Sequence, residues 1–254
     1  MRIDSSDPRW RLPSPTPTST IAGGVTPLKL WGCPPVTPER LVLLHGAITA
    51  ILARPHNAPT PDAGRGENHV APQWSIRPGN RQGWAWDVFW WSSKDAAALS
   101  DTMRKARIGR TPCIVEVCSS TPVEMPPRYR PGAHAVRITA MTPVCTRSNI
   151  RRDGRTKTTW RSSPSDAGLA GALHSLALRA GIDTEEPHAV IVHDATTPAR
   201  SRLRGKVRGR RGWIGVVDVI ANAPARWLLE LASRGYGLGA SVAYGMGSVE
   251  VRPC

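Results

Sequence analysis

The sequence predicts an α+β protein of two βαββαβ units in tandem, each an antiparallel sheet with helices on one face. Three observations predict it. Hydrophobic spacing switches between period two and helical period in the order β, α, β, β, α, β, and the second half repeats that order. Turn and cap residues fall at the boundaries of these runs. The 254 residues, 40% of them hydrophobic, suffice for two small cores.

In chain order, residues 1–23 are rich in Pro, Ser and Thr and read as an extended arm. Val25 to Trp31 is a short apolar strand. Thr37-Pro38-Glu39 supplies an N-cap, a proline at the first helical position and an early acid. Leu41, Leu44, Ile48, Ile51 and Leu52 then follow at helical spacing, and Arg54-Pro55 ends the helix. Residues 57–68 read as loop. Across Gly83 to Trp91, residues Trp84, Trp86, Val88 and Trp90 share one strand face, with Phe89 and Trp91 on the other. Such a strand is either core or a base-stacking surface, and core is the commoner use of Trp on both faces. Lys94 to Arg107 is alanine-rich and reads as helix, and Thr111 to Cys118 is a β-branched strand.

In the second half, Ala133 to Val144 is a strand and Pro164 to Ala180 a helix stopped by Gly181. His188 to His193 and Trp213 to Ile220 are strands, Pro224 to Ser233 a helix, and Ser241 to Val251 the last strand. The expected organisation is therefore an arm (1–23), then two ferredoxin-like (RRM-like) domains at 24–125 and 126–254, the second bearing basic hairpins and a glycine-rich loop.

Charge narrows the function. With 34 Lys+Arg against 19 Asp+Glu, the net charge is +15. An excess of this size repels itself on folding and is retained for a polyanion. A membrane partner needs a basic amphipathic helix or an apolar span, and neither is present. The start carries no apolar secretory run, and the five cysteines contain no CxxC pair, so reduced thiols in a cytoplasmic protein are expected.

The cations cluster twice. Arg200, Arg202, Arg204, Lys206, Arg208 and Arg210 fall at every second position, and Arg211 follows. A helix would scatter them, whereas an extended ribbon places the six on one side. Gly205 and Gly209 weaken a stable strand, so a flexible loop or hairpin arm is expected. The second cluster, Arg147, Arg151, Arg152, Arg155, Lys157 and Arg161, brackets Asp153-Gly154, a two-residue hairpin turn. Charge runs are commonly mere solvated faces. Alternation without an intervening acid points instead to nucleic acid, and arginine's planar fork suits phosphate and stacked bases alike.

No GxSxG elbow, P-loop or HExxH is present, and no cofactor or metal is expected. His188 and His193 point to opposite faces of a strand and cannot share a metal. Gly235, Gly237 and Ala240 match the dinucleotide fingerprint GxGxxA only formally. They follow a helix and precede a strand, the reverse of what that site requires. Glycines here let backbone approach a phosphate chain closely.

Gly237-Leu238-Gly239, then Gly245-Met246-Gly247 running into a final strand, resembles the C-terminal glycine-rich loop of the CRISPR repeat-RNA endoribonucleases. Those proteins belong to the repeat-associated RNA-binding (RAMP) superfamily of tandem ferredoxin-like domains. Ile138 to Val144 resembles the strand that opens their second domain. The Trp-rich and Arg-rich character and the Pro-rich arm depart from common members, and a divergent type such as the type IV processing subunit fits them.

The resemblance implies metal-independent cleavage of a repeat transcript at the base of a stem-loop. The upstream 2′-hydroxyl attacks the phosphate, leaving a cyclic phosphate, and the crRNA stays bound for assembly with other CRISPR effector subunits. A base, an acid and cations for the phosphorane are required. The family places a histidine at or just after the first helix. His56 lies in the turn that ends it, and His45 lies mid-helix, where a packed histidine is the plainer reading. In members without a catalytic histidine, arginines carry the geometry, which here means Arg40 and Arg54. Ser241 and Tyr244, beside Gly237 and Gly239, are RNA-contact candidates or ordinary strand packing. Three functions remain in view: the endoribonuclease, a non-catalytic RNA-binding scaffold of the same superfamily, and a basic protein of another fold that binds DNA or ribosomal RNA.

Overall fold

The computed structural model describes residues 21–36, 43–45, 47–48, 74–79, 84–90, 102–127, 129–152, 155–180, 182, 184–200, 211–240, 242 and 245–254. Two compact units divide the described chain, Ile21–Glu124 with Val242–Gly245, and Met125–Ser241 with Met246–Cys254. The expected arm at 1–23 lies almost wholly outside the described residues.

The first unit is built on β1 (Ile21–Trp31), β2 (Trp74–Pro78), β3 (Ala85–Trp90), β4 (Thr102–Ile108), β5 (Thr111–Val117) and β6 (Thr121–Glu124). The sheet order is β2-β3-β1-β5-β4, with β6 also on β1. The pairings of β1 with β3 and β5, of β2 with β3, and of β4 with β5 are all antiparallel. Without β4 and β6 this is the ferredoxin-like order. Alternation puts Leu28, Leu30, Trp86, Val88, Trp90, Val115 and Val117 into one core, joined by Leu44, Ala47 and Ile48 from a helical segment. Trp86 and Trp90 are therefore core. Trp84 lies just before β3, its indole donating to the Cys33 carbonyl at 3.3 Å, and is half exposed.

Two expectations change here. The helix over 94–107 gives way to β4 in its last six residues, while 94–101 lie outside the described residues. The alanines at 96–98 favour helix, but from Thr102 the chain pairs residue by residue with β5. Gly109, at φ +68°, closes the turn between them. β6 had no signal: Thr121–Glu124 is short and largely exposed.

The second unit comprises β7 (Ala133–Val144), β8 (Thr146–Arg152), β9 (Arg155–Arg161), α1 (Asp166–Ala180), β10 (Ala189–Arg200), β11 (Arg211–Asn222), α2 (Ala223–Leu231) and β12 (Val249–Pro253). Its four-stranded sheet runs β10-β11-β7-β12, the ferredoxin-like order again. The tandem ferredoxin-like architecture is thus present. Alternate residues of the central strands, Val136 and Ile138 on β7 and Val217 and Val219 on β11, are fully buried. Leu169, Leu173 and Leu176 of α1 and Leu228 of α2 are buried as well. Asn222 caps α2, its Oδ1 accepting from Ala225 N at 3.0 Å, with Pro224 in the first turn; such a cap contributes about 1 kcal/mol. The last strand starts at Val249 rather than 241. Gly245 and Gly247, at φ +77° and +72°, are themselves outside extended geometry just before it. None of the described helices is long and apolar enough to cross a membrane.

Candidate nucleic-acid interface

The end of β7 is where the basic and glycine-rich segments meet. Beyond Val144 the chain passes through Cys145 into β8, which pairs with β9 from Thr146↔Arg161 to Arg152↔Arg155. The final pair, Arg152↔Arg155, agrees with the two-residue hairpin that the sequence predicts, while Asp153 and Gly154 themselves lie outside the described residues. Basic residues thus occur along the hairpin up to its final pair. At its base the Arg147 guanidinium lies 5.0 Å from the Trp160 ring centroid, a cation–π contact that leaves Arg147 exposed.

The second basic ribbon begins in the same unit. β10 and β11 pair as far as Arg200↔Arg211, both exposed. The strand predicted over 188–193 therefore extends to Arg200, and the ribbon's first and last residues form the end of a hairpin. Arg202, Arg204, Lys206, Arg208 and Arg210 lie outside the described residues. β9 packs against β11, and β8 against α1, which sets the two hairpins side by side.

The glycine-rich loop closes onto the same strand end. Leu238 N donates to Gly247 O at 2.7 Å, Gly247 N to Pro143 O at 2.9 Å and Ala240 N to Cys145 O at 2.9 Å. Gly237 N is occupied by Ala232 O at 3.0 Å. Gly237, Gly239, Gly245 and Gly247 all take positive φ. Steric room matters as much as conformation. A Cβ on Gly239 would lie 2.6 Å from Cys145 O, and one on Gly212 would lie 2.7 Å from Val144 O. Gly237 and Gly239 are buried. They shape the loop by letting backbone meet backbone, and most of its described amides already bond within the protein. Ser241 and Tyr244 lie outside the described residues.

Sequence reasoning missed Arg179. From the last turn of α1 its Nη1 donates to Gly239 O at 3.0 Å, and burial pulls its pKa down to about 10. A lone arginine at a helix end gives no sign of this role, because its acceptor lies sixty residues further along the chain. Of the catalytic candidates, His45 is 7% exposed, on the helical segment that supplies Leu44 and Ile48 to the core. Arg40, Arg54 and His56 lie outside the described residues. Among the described residues no three His, Cys, Asp or Glu side chains come close enough to hold a metal ion, and the five cysteines form no disulfide.

The loop packing makes one substitution informative. In Gly247→Ala the new Cβ would overlap the Leu238 carbonyl oxygen in a conformation that L residues rarely adopt. The expected cost is about 3 kcal/mol. A melting curve should show Tm lower by roughly 10 °C; an unchanged Tm would contradict this packing.

No protein-family model matches the sequence, and no curated protein matches it. Solved structures do match in fold. A Cas6 from Thermus thermophilus aligns with a TM-score of 0.54 at 15% identity, covering 92% of this chain and 100% of that one. A structure described as a RAMP protein binding different RNA substrates aligns at 0.55 and 13% identity, covering 90% and 99%. A Cas6-related protein from Pyrococcus furiosus aligns at 0.52 and 13%, covering 91% and 98%. The chain therefore has the fold of the Cas6 and RAMP proteins over nine-tenths of its length.

Proposed function

We propose that this chain is a CRISPR repeat-RNA processing endoribonuclease of the RAMP superfamily, acting in the cytoplasm and retaining its crRNA for other effector subunits. The observation that carries this reading is the convergence of two arginine-bearing hairpins and a glycine-rich loop on the end of β7. That convergence sits in a fold shared with Cas6 structures, one of them a product complex.

In this reading the hairpin of Arg147, Arg151, Arg152, Arg155, Lys157 and Arg161 and the ribbon from Arg200 to Arg211 hold the phosphates of the repeat stem. Ser241 and Tyr244, which follow Gly237 and Gly239 in the sequence, are proposed to contact the RNA. Cleavage needs a base to take the 2′-hydroxyl proton, an acid to protonate the leaving 5′-oxygen, and cations at the crowded phosphorus. His56 is proposed for the acid–base work. Arg40 and Arg54 are proposed for charge stabilisation. The burial of His45 favours a packing role for it. The scaffold reading stays distinct, because it needs the same surface and no cleavage.

The two part in one assay. Purified protein in EDTA, given a labelled repeat hairpin, should cut once near the stem base and leave a 2′,3′-cyclic phosphate. A 2′-deoxy substitution upstream of that bond should abolish the product. Tight binding with no cut would leave the scaffold; cutting of the 2′-deoxy RNA would exclude the mechanism.

A further inference from the structure

We infer that the exposed part of the first unit's sheet, where β1, β5 and β4 turn their side chains away from the core, is a stacking platform for single-stranded RNA, with Trp31 as the residue on which a base stacks. The inference rests on the RNA-binding reading above and adds to it a second contact region for an unpaired segment.

Residues opposite one another in an antiparallel sheet share a face. The register therefore assembles this surface row by row, on the side away from the core. One row is Lys105, Ile114 and Trp31; the next is Met103, Glu116 and Lys29; Arg107 and Pro112 flank them. Trp31 is 46% exposed, Ile114 42% and Met103 65%, whereas Trp86, Trp90 and Trp213 are all buried. Trp31 is also held in place. Its Nε1 donates to Glu116 Oε2 at 3.0 Å, while Glu116 Oε1 accepts from Lys29 Nζ at 2.6 Å. Lys29 first and Trp31 second hold the Glu116 carboxyl below its ordinary range. A ring tethered by its edge loses little freedom when a base settles on its face.

The charges select the occupant. Lys29 compensates Glu116, the one acid of these rows, and no ion pair to Lys105 or Arg107 is found among the described residues. Exposed apolar surface meant for a protein partner carries a core depleted in charge, lysine included. Here Lys105 sits opposite Ile114, across that strand from Trp31, and Arg107 sits opposite Pro112. Aromatic faces interleaved with cations are how sequence-tolerant single-strand sites are built. The net charge of +15 favours the same partner.

The test compares one RNA hairpin with and without single-stranded uridine flanks. Wild type should bind the flanked RNA more tightly. Trp31→Ala should lower that affinity about tenfold or more, towards the value for the flankless hairpin, whose own affinity stays unchanged. Trp31→Phe should keep most of the gain, and Lys105→Glu with Arg107→Glu should remove it, each at wild-type Tm. Equal affinity of Trp31→Ala and wild type for the flanked RNA overturns the inference, as does an equal loss on both RNAs. Loss of a co-purifying protein in Trp31→Ala, with RNA affinity intact, overturns it in favour of a protein-docking face. A wild type that gains nothing from flanks removes the platform and leaves the hairpin reading standing. One that binds the single strand but not the hairpin does the reverse.

Discussion

His56→Ala is expected to slow single-turnover cutting of a repeat hairpin by ~10²-fold or more, with RNA affinity held within about twofold. An imidazole titrates near neutrality, so one group can take the 2′-hydroxyl proton or supply one to the leaving oxygen. His56 follows Arg54-Pro55, where the predicted first helix stops and a side chain can reach a cleft. His45 offers the contrast. It is buried beside Leu44 and Ile48, so His45→Ala should appear chiefly as a lower Tm. Full activity of His56→Ala, measured as the rate with enzyme in excess, would move the chemistry to Arg40, Arg54 or His45.

Replacing Arg202, Arg204 and Arg208 together with Ala should weaken binding of structured RNA by roughly 10²-fold at physiological salt. Each phosphate left without its arginine also takes about 0.7 to 0.9 from the slope of log affinity against log salt, so the triple variant should be flatter by about two. The positions fit that use. β10 and β11 pair as far as Arg200 and Arg211, and the three arginines belong to the segment that joins those strands. An unchanged slope would take this arm out of the interface.

Much of the second unit was legible because its signals are local. Ala133–Val144 has alternating burial along most of its length, and the strand matches its expected bounds. The Asp153-Gly154 signal predicts a two-residue turn, and the β8–β9 register, with Arg152 opposite Arg155, agrees with it. The first unit was less readable where a local preference and a tertiary pairing disagree. The alanines at 96–98 extended a helix as far as Arg107, yet pairing with β5 decides the segment from Thr102.

The site was legible as composition but not as geometry. The arginine clusters and the four glycines stand out in the sequence. The closing of the glycine-rich loop onto Pro143 and Cys145 depends on hydrogen bonds between segments about a hundred residues apart, such as Gly247 N to Pro143 O. Arg179 and Trp31 were invisible for the same reason. Each acquires its role from a distant partner, the carbonyl of Gly239 in one case and Glu116 in the other.

The grip of arginine-lined ribbons on folded RNA is tested most directly by titrating salt against the affinity for a repeat hairpin. Six phosphate contacts give an expected slope of about −4 to −5 in log affinity against log salt. A slope near zero, or no measurable affinity for the hairpin at low salt, would contradict it.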